Sequence, residues 1–87
     1  MRRIVLLGKR WILNYVPYLG NYYGHCDHPD TKNKQIKIRS GLKGEKKLEI
    51  LIHEMLHAIF WNVDEEIITH AAKDLARVLW KEMNEFK

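Results

Sequence analysis

His53-Glu54-Met55-Leu56-His57 reads as HExxH inside residues 45–61, a stretch with neither Gly nor Pro and therefore no interior helix breaker. On an α-helix, positions i and i+4 lie about 40° apart around the axis, so both imidazoles leave one face within reach of one ion. Two neutral imidazoles supply half of a tetrahedral zinc shell, and the carboxylate of Glu54 beside them can take a proton from a water activated there. Such a site needs a third protein ligand and an open fourth position.

The surrounding helix supports this reading. Leu48, Leu51, Ile52, Met55, Ala58 and Ile59 form a stripe facing away from the histidines, while Ile50, Leu56, Phe60 and Trp61 fall on the histidine side or its flanks. A helix apolar nearly all round is expected to be buried from two directions. The competing reading is a pair of core histidines bonded to backbone, with Glu54 exposed at the edge. It would leave costly unpaired polar groups on an apolar helix, which favours a metal.

The third ligand must come from further along the chain, where Asp64, Glu65, Glu66 and His70 are the candidates. Residues 64–86 read as a second helix, with Asn62 or Asp64 as N-cap and a core stripe through Ile68, Ala71, Ala72, Leu75 and Leu79. Carried backwards, that stripe meets Asp64 and Glu65, whereas Glu66 belongs with Thr69, His70, Lys73 and Arg77 on a polar face. Asp64 is short and suits the first-turn amides, so periodicity favours Glu65. Glu66, His70 and Asp64 stay open as alternatives, beside a plain acidic helix start that binds nothing.

A chain of 87 residues has room for one domain, 1–87, and a small core, in which bound metal can act as a staple. The single Cys26 rules out an internal disulfide. The opening MRRIVLLG does not resemble a signal peptide, and Trp11 to His28 is too polar to span a membrane, so a cytoplasmic protein is expected. Net charge is +4, with Lys and Arg gathered at residues 2–10 and 32–47. Those clusters leave nucleic acid or an acidic partner open, although lysines also blunt sheet edges and keep small domains soluble, and no nucleic-acid motif accompanies them.

Ile4–Leu7 and Trp11–Val16 are apolar, β-rich runs separated by Gly8-Lys9-Arg10, which predicts a hairpin. Pro17 closes it. Tyr18–Asn33 reads as a loop, and Gln35-Ile36-Lys37-Ile38-Arg39 alternates as a half-buried strand does. The expectation is an α+β domain, a three-stranded sheet on one side of the HExxH helix and the C-terminal helix on the other. Within the loop, Gly24-His25-Cys26-Asp27-His28 offers ligand types, but no partner pair of Cys or His stands elsewhere to complete a second zinc site. This segment is better placed at the rim of the cleft, with His25 or His28 touching substrate and Tyr22 or Tyr23 donating to an oxyanion. Trp11, Trp61 and Trp80 read as packing residues.

Taken together, the loop ending in Gly24-His25-Cys26-Asp27, the strand Gln35–Arg39, the run Leu51–Ile59 around HExxH and the helix opening Asp64-Glu65-Glu66 resemble small phage-type zincins. The chain is more loosely similar to the SprT-like and ImmA/IrrE-like metallopeptidases. The resemblance implies a mini-gluzincin: His53 and His57 as ligands, Glu54 as general base, and a Glu of the next helix as third ligand. The chain departs from the ImmA/IrrE-like pattern in carrying Thr69-His70 where Ala-Asn is expected, and from the SprT-like pattern in lacking a distant third histidine unless His70 serves. The function expected is a zinc-dependent peptidase or peptidase-like hydrolase acting on a peptide or protein. The alternative is a zinc-stabilised binding module whose basic surface meets nucleic acid or a host protein.

Overall fold

Over the described residues, 1–85, the computed structural model begins with an antiparallel hairpin of β1 (Arg2–Leu6) and β2 (Lys9–Val16), paired from Arg2 opposite Leu13 to Leu6 opposite Lys9. Its turn is Leu7-Gly8 rather than the expected Gly8-Lys9-Arg10. Both residues take positive φ, 50° and 72°, the two-residue geometry whose twist matches the flanking strands. Leu7 therefore carries a Cβ into the left-handed region, which L-residues other than Gly, Asn and Asp enter at a cost.

Two further strands follow, β3 (Gly24–Cys26) and β4 (Gln35–Arg39), and the sheet order is β1-β2-β4-β3. The sheet is thus four-stranded and mixed, with β4 parallel to β2 and antiparallel to β3, where three strands were expected. The additional strand lies in the stretch read as loop. Three residues opening on a glycine show no alternation, and β3 is a strand because β4 offers it a free edge. Flanking backbone bonds lengthen the ladder: the Arg39 N–H donates to Tyr23 O at 2.8 Å and the Asp27 N–H to Gln35 O at 3.0 Å.

One face of this sheet carries Trp11, Leu13, Cys26, Ile36 and Ile38, and α1 (Gly44–Ile59) covers it with Ile50, Leu51, Met55 and Ala58. The helix is buried from two directions, as expected, but its apolar stripe is split. Ile50, assigned to the histidine side, belongs to the sheet-facing cluster, whereas Ile52, Leu48 and Leu56 meet α2 (Glu65–Glu85). The helix stops at Ile59, short of the expected Trp61, because Phe60 leaves the helical region with φ −119° and ψ 61° while its N–H still reaches Leu56 O at 2.7 Å. The expected end of the second helix at residue 86 lies outside the described residues.

The α1–α2 contact is made through small side chains. Ala72 and Ala76 are fully buried and Ile68 nearly so, whereas Leu75 and Leu79, expected in the core, are 44% and 43% exposed. The buried stripe is rotated toward the alanines because they let the two helices approach closely. Followed backwards along α2 at helical spacing, Ala76, Ala72 and Ile68 lead to Glu65. At the opposite end of α2, Trp80 lies beside Gly44, so the two helices run antiparallel. No helix among the described residues is long and apolar enough to cross a membrane.

The strained turn gives a direct test of the hairpin. Leu7→Asn should raise stability by about 1 kcal/mol, since Asn tolerates the left-handed region and Leu7 is mostly exposed. The check is a urea titration of the two proteins, and a loss of stability would show that the Leu7 side chain packs more than its exposure implies.

Candidate metal centre

His53 and His57 sit one turn apart near the C-terminal end of α1, and the short 60–64 connection returns the chain so that Glu65, the first residue of α2, stands against them. His57 in the last turn of α1 and Glu65 in the first turn of α2 are also on the favourable ends of their helix dipoles. His57 Nε2 lies 2.6 Å from Glu65 Oε2, His53 Nε2 lies 2.9 Å from Oε1, and the two Nε2 atoms are 3.1 Å apart. Both imidazole side chains are largely shielded, at 16% and 17% exposure, whereas that of Glu65 is 67% exposed.

The donor set fits zinc in type and in shape. Zinc bonds of about 2.0–2.1 Å put tetrahedral ligand atoms roughly 3.3 Å apart, and here one donor atom from each of the three residues lies within 4.8 Å of the others. Two unprotonated Nε2 lone pairs at 3.1 Å would repel, so a proton or a cation has to lie among these atoms. Glu65, favoured by periodicity, is the acidic residue that α2 places against the histidines. Glu66, His70 and Asp64 are exposed and outside the group. Asp64 precedes the helix with its carbonyl accepting the Ile68 N–H at 3.1 Å, but its carboxylate takes up no first-turn amide among the described residues, contrary to the capping role expected of it.

Glu54 is placed differently from the edge position of the competing reading. It is only 8% exposed, turned toward β3, and no hydrogen bond among the described residues reaches its carboxylate. Burial, helped by the charge of Glu65, pushes its pKa up to about 7. A cation at the neighbouring triangle would draw it back down.

Gly24 is the residue that sequence reasoning passed over. A Cβ at that position would fall 2.8 Å from Glu54 Oε2, 2.9 Å from Glu54 Cγ and 3.0 Å from Ile50 Cγ2. Only a glycine lets β3 come this close to the helix, so Gly24 seats the carboxylate of Glu54. The available signal was a glycine at the start of a chemistry-rich segment, which marks close backbone approach when the segment is a strand.

The segment Gly24–His28 does not assemble a second metal group; among the described residues His53, His57 and Glu65 are the one set whose donor atoms converge. Alternation on β3 separates its members. Cys26 is buried, and desolvation, then the charges of Glu54 and Asp27, push its thiol up to about 12 and keep it protonated. His25 is half exposed and bonds Asp27 Oδ1 at 3.2 Å. His25 and Tyr22 line the cleft of about 270 Å³ over the metal triangle, together with Trp61. His28 instead stacks edge-on against Trp61 at 4.9 Å, and Tyr23 lies beneath Arg39 and Lys46, so neither reaches the cleft. Trp61, read as packing, is 38% exposed and forms part of the cleft wall, while Trp11 is core as expected.

Comparisons with protein-family models, with curated proteins and with solved structures returned no match to this chain.

The raised pKa of Glu54 fixes the sign of a pH effect. In the unfolded chain Glu54 ionises near pH 4.5, but in the fold only near 7, so its contribution is fully present below about 4.5 and lost as pH rises toward 7. With EDTA present, the urea midpoint of the wild type should therefore fall between about pH 5 and 7 relative to Glu54→Gln. Parallel pH profiles for the two proteins would contradict the burial of an unpartnered carboxylate.

Proposed function

We propose that this chain is a zinc-dependent peptidase or peptidase-like hydrolase, with His53, His57 and Glu65 as metal ligands and Glu54 as general base. The observation that carries this reading is the pairing of a buried, unpartnered carboxylate with a convergent His-His-Glu triangle in one cleft. A structural zinc site would need no such carboxylate beside it, and with three ligands from the chain a tetrahedral ion keeps a position for water. The resemblance to small zincins agrees.

When bound, zinc supplies Lewis acidity and lowers the pKa of water to about 7. The chain supplies the rest. His53 and His57 present Nε2 from one helical face, and Glu65 closes the triangle through the docking of α2. Glu54, held by Gly24 and Ile50 within the cleft, accepts the proton of the attacking water and returns it to the leaving amine. His25 and Tyr22, on the cleft wall, offer donors to the oxygen of the reacting carbonyl. β3 is the edge strand next to this cleft, and its free side gives an extended peptide a backbone to pair with.

Two substitutions separate binding from chemistry. Glu54→Gln should retain about one zinc per chain and lose hydrolysis of an unfolded protein substrate by at least about 100-fold, the usual contribution of a general base. Glu65→Gln should lose most of the zinc, whereas Glu66→Gln should keep it. Undiminished hydrolysis in Glu54→Gln would remove Glu54 from the base role, and full zinc retention in Glu65→Gln would move the third ligand elsewhere.

A further inference from the structure

α1 covers one face of the sheet, and the other face has a composition of its own. Alternation puts Trp11, Leu13, Ile36 and Ile38 inward, so Arg3 and Val5 of β1, Arg10, Ile12 and Asn14 of β2, and Lys37 and Arg39 of β4 lie on the outer face. None of the four strands contains an acidic residue. The asymmetry extends along the chain: before Glu45 the only carboxylates are Asp27 and Asp30, against nine lysines and arginines. Both carboxylates are engaged locally. Asp27 takes the Gln35 N–H at 2.9 Å and His25 at 3.2 Å, and Asp30 lies 3.8 Å from His28.

This face is concave at one end. A cavity of about 550 Å³, larger than the metal cleft, is lined by Arg3, Val5, Arg10 and Ile12 of this face and reaches round the sheet end to Trp11 and Lys34. Lys34 Nζ stands 5.5 Å from the centre of the Trp11 ring. Trp11 also holds a buried indole N–H that no acceptor among the described residues takes up. At the other end, Arg39 bonds Gly20 O at 2.7 Å and lies over Tyr23, tying down the 18–23 loop, in which Tyr18 is 78% exposed. Cations free of carboxylate partners among the described residues are therefore interleaved with Val5 and Ile12, and an open aromatic ring belongs to the tethered loop.

We propose that the outer sheet face is a binding surface for single-stranded nucleic acid. Arg3, Arg10, Lys34, Lys37 and Arg39 meet phosphates, while the apolar strips and Tyr18 receive bases. A sheet face with no protruding helix or ribbon suits a strand whose bases are splayed out, and has nothing to enter a duplex groove. The surface lies on the side of the sheet opposite α1, with His25, the register partner of Lys37, standing between it and the metal cleft.

The test is fluorescence anisotropy with a labelled oligo-dT of about 20 nucleotides, longer than the site of a single binding fold, across a salt series. Phosphate contacts from these five cations predict a log–log salt slope of about −3.5. Arg3→Gln/Arg10→Gln should make the slope shallower by about 1.4 and Lys37→Gln by about 0.7, whereas Lys73→Gln/Lys81→Gln on α2 should leave it unchanged. No binding at low salt, or equal losses from the α2 pair, would overturn the proposal. Equal binding of a duplex would overturn it too, as would displacement by polyglutamate as effective as that by unlabelled oligo-dT, which would assign the face to an acidic protein.

Discussion

Two imidazole nitrogens 3.1 Å apart, with carboxylate oxygens at 2.6 and 2.9 Å, form a group that holds together only with N–H hydrogens or a cation between its lone pairs. A divalent ion would have to displace those hydrogens to bind. The rest of the fold serves to bring this group together. The 60–64 connection reverses the chain, the alanines of α2 let it settle closely on α1, and Glu65 arrives at the histidines as the first residue of the docked helix. A metal held by these three residues would therefore couple to the α1–α2 interface, which in so short a chain is a large part of the core.

How much of this was legible in the sequence depended on the length and regularity of each signal. The HExxH helix, the strand Gln35–Arg39 and the N-terminal hairpin were readable because each carries many residues in phase with its period. β3 was not, since three residues beginning with Gly24 have no period and acquire a strand conformation only from β4. The core stripe of α2 was drawn through Leu75 and Leu79 because size suggests burial. The close helix contact instead selects Ala72 and Ala76, and turns the leucines outward. The true stripe, 68-72-76, also extends back to Glu65, so the misplaced leucines left its position on the helix unchanged.

The site shows the same division. Spacing alone put His53 and His57 on one face and left Glu65 favoured among four candidates. It could not show that Glu54 is buried, because that depends on β3 crossing the helix at Gly24, a contact between residues far apart in the chain. A bare carboxylate in such a seat is costly for the metal-free fold. In the proposed reaction the same seat holds the base in place, so stability and activity are opposed at this residue. The two faces of the sheet also divide the charge: carboxylates concentrate on the helical side, beside the two histidines and at the start of α2, while no strand carries an acidic residue.

In the proposed site His53, His57 and Glu65 share one zinc ion. X-ray absorption at the zinc edge of protein loaded with one equivalent tests it most directly. The expected spectrum has a first shell of nitrogen and oxygen only, at about 2.0–2.1 Å, with the outer-shell signature of two imidazoles. A zinc–sulfur distance of about 2.3 Å would place Cys26 in the shell, and a shell without imidazole would remove the ion from α1; either result would rule out a His53-His57-Glu65 site.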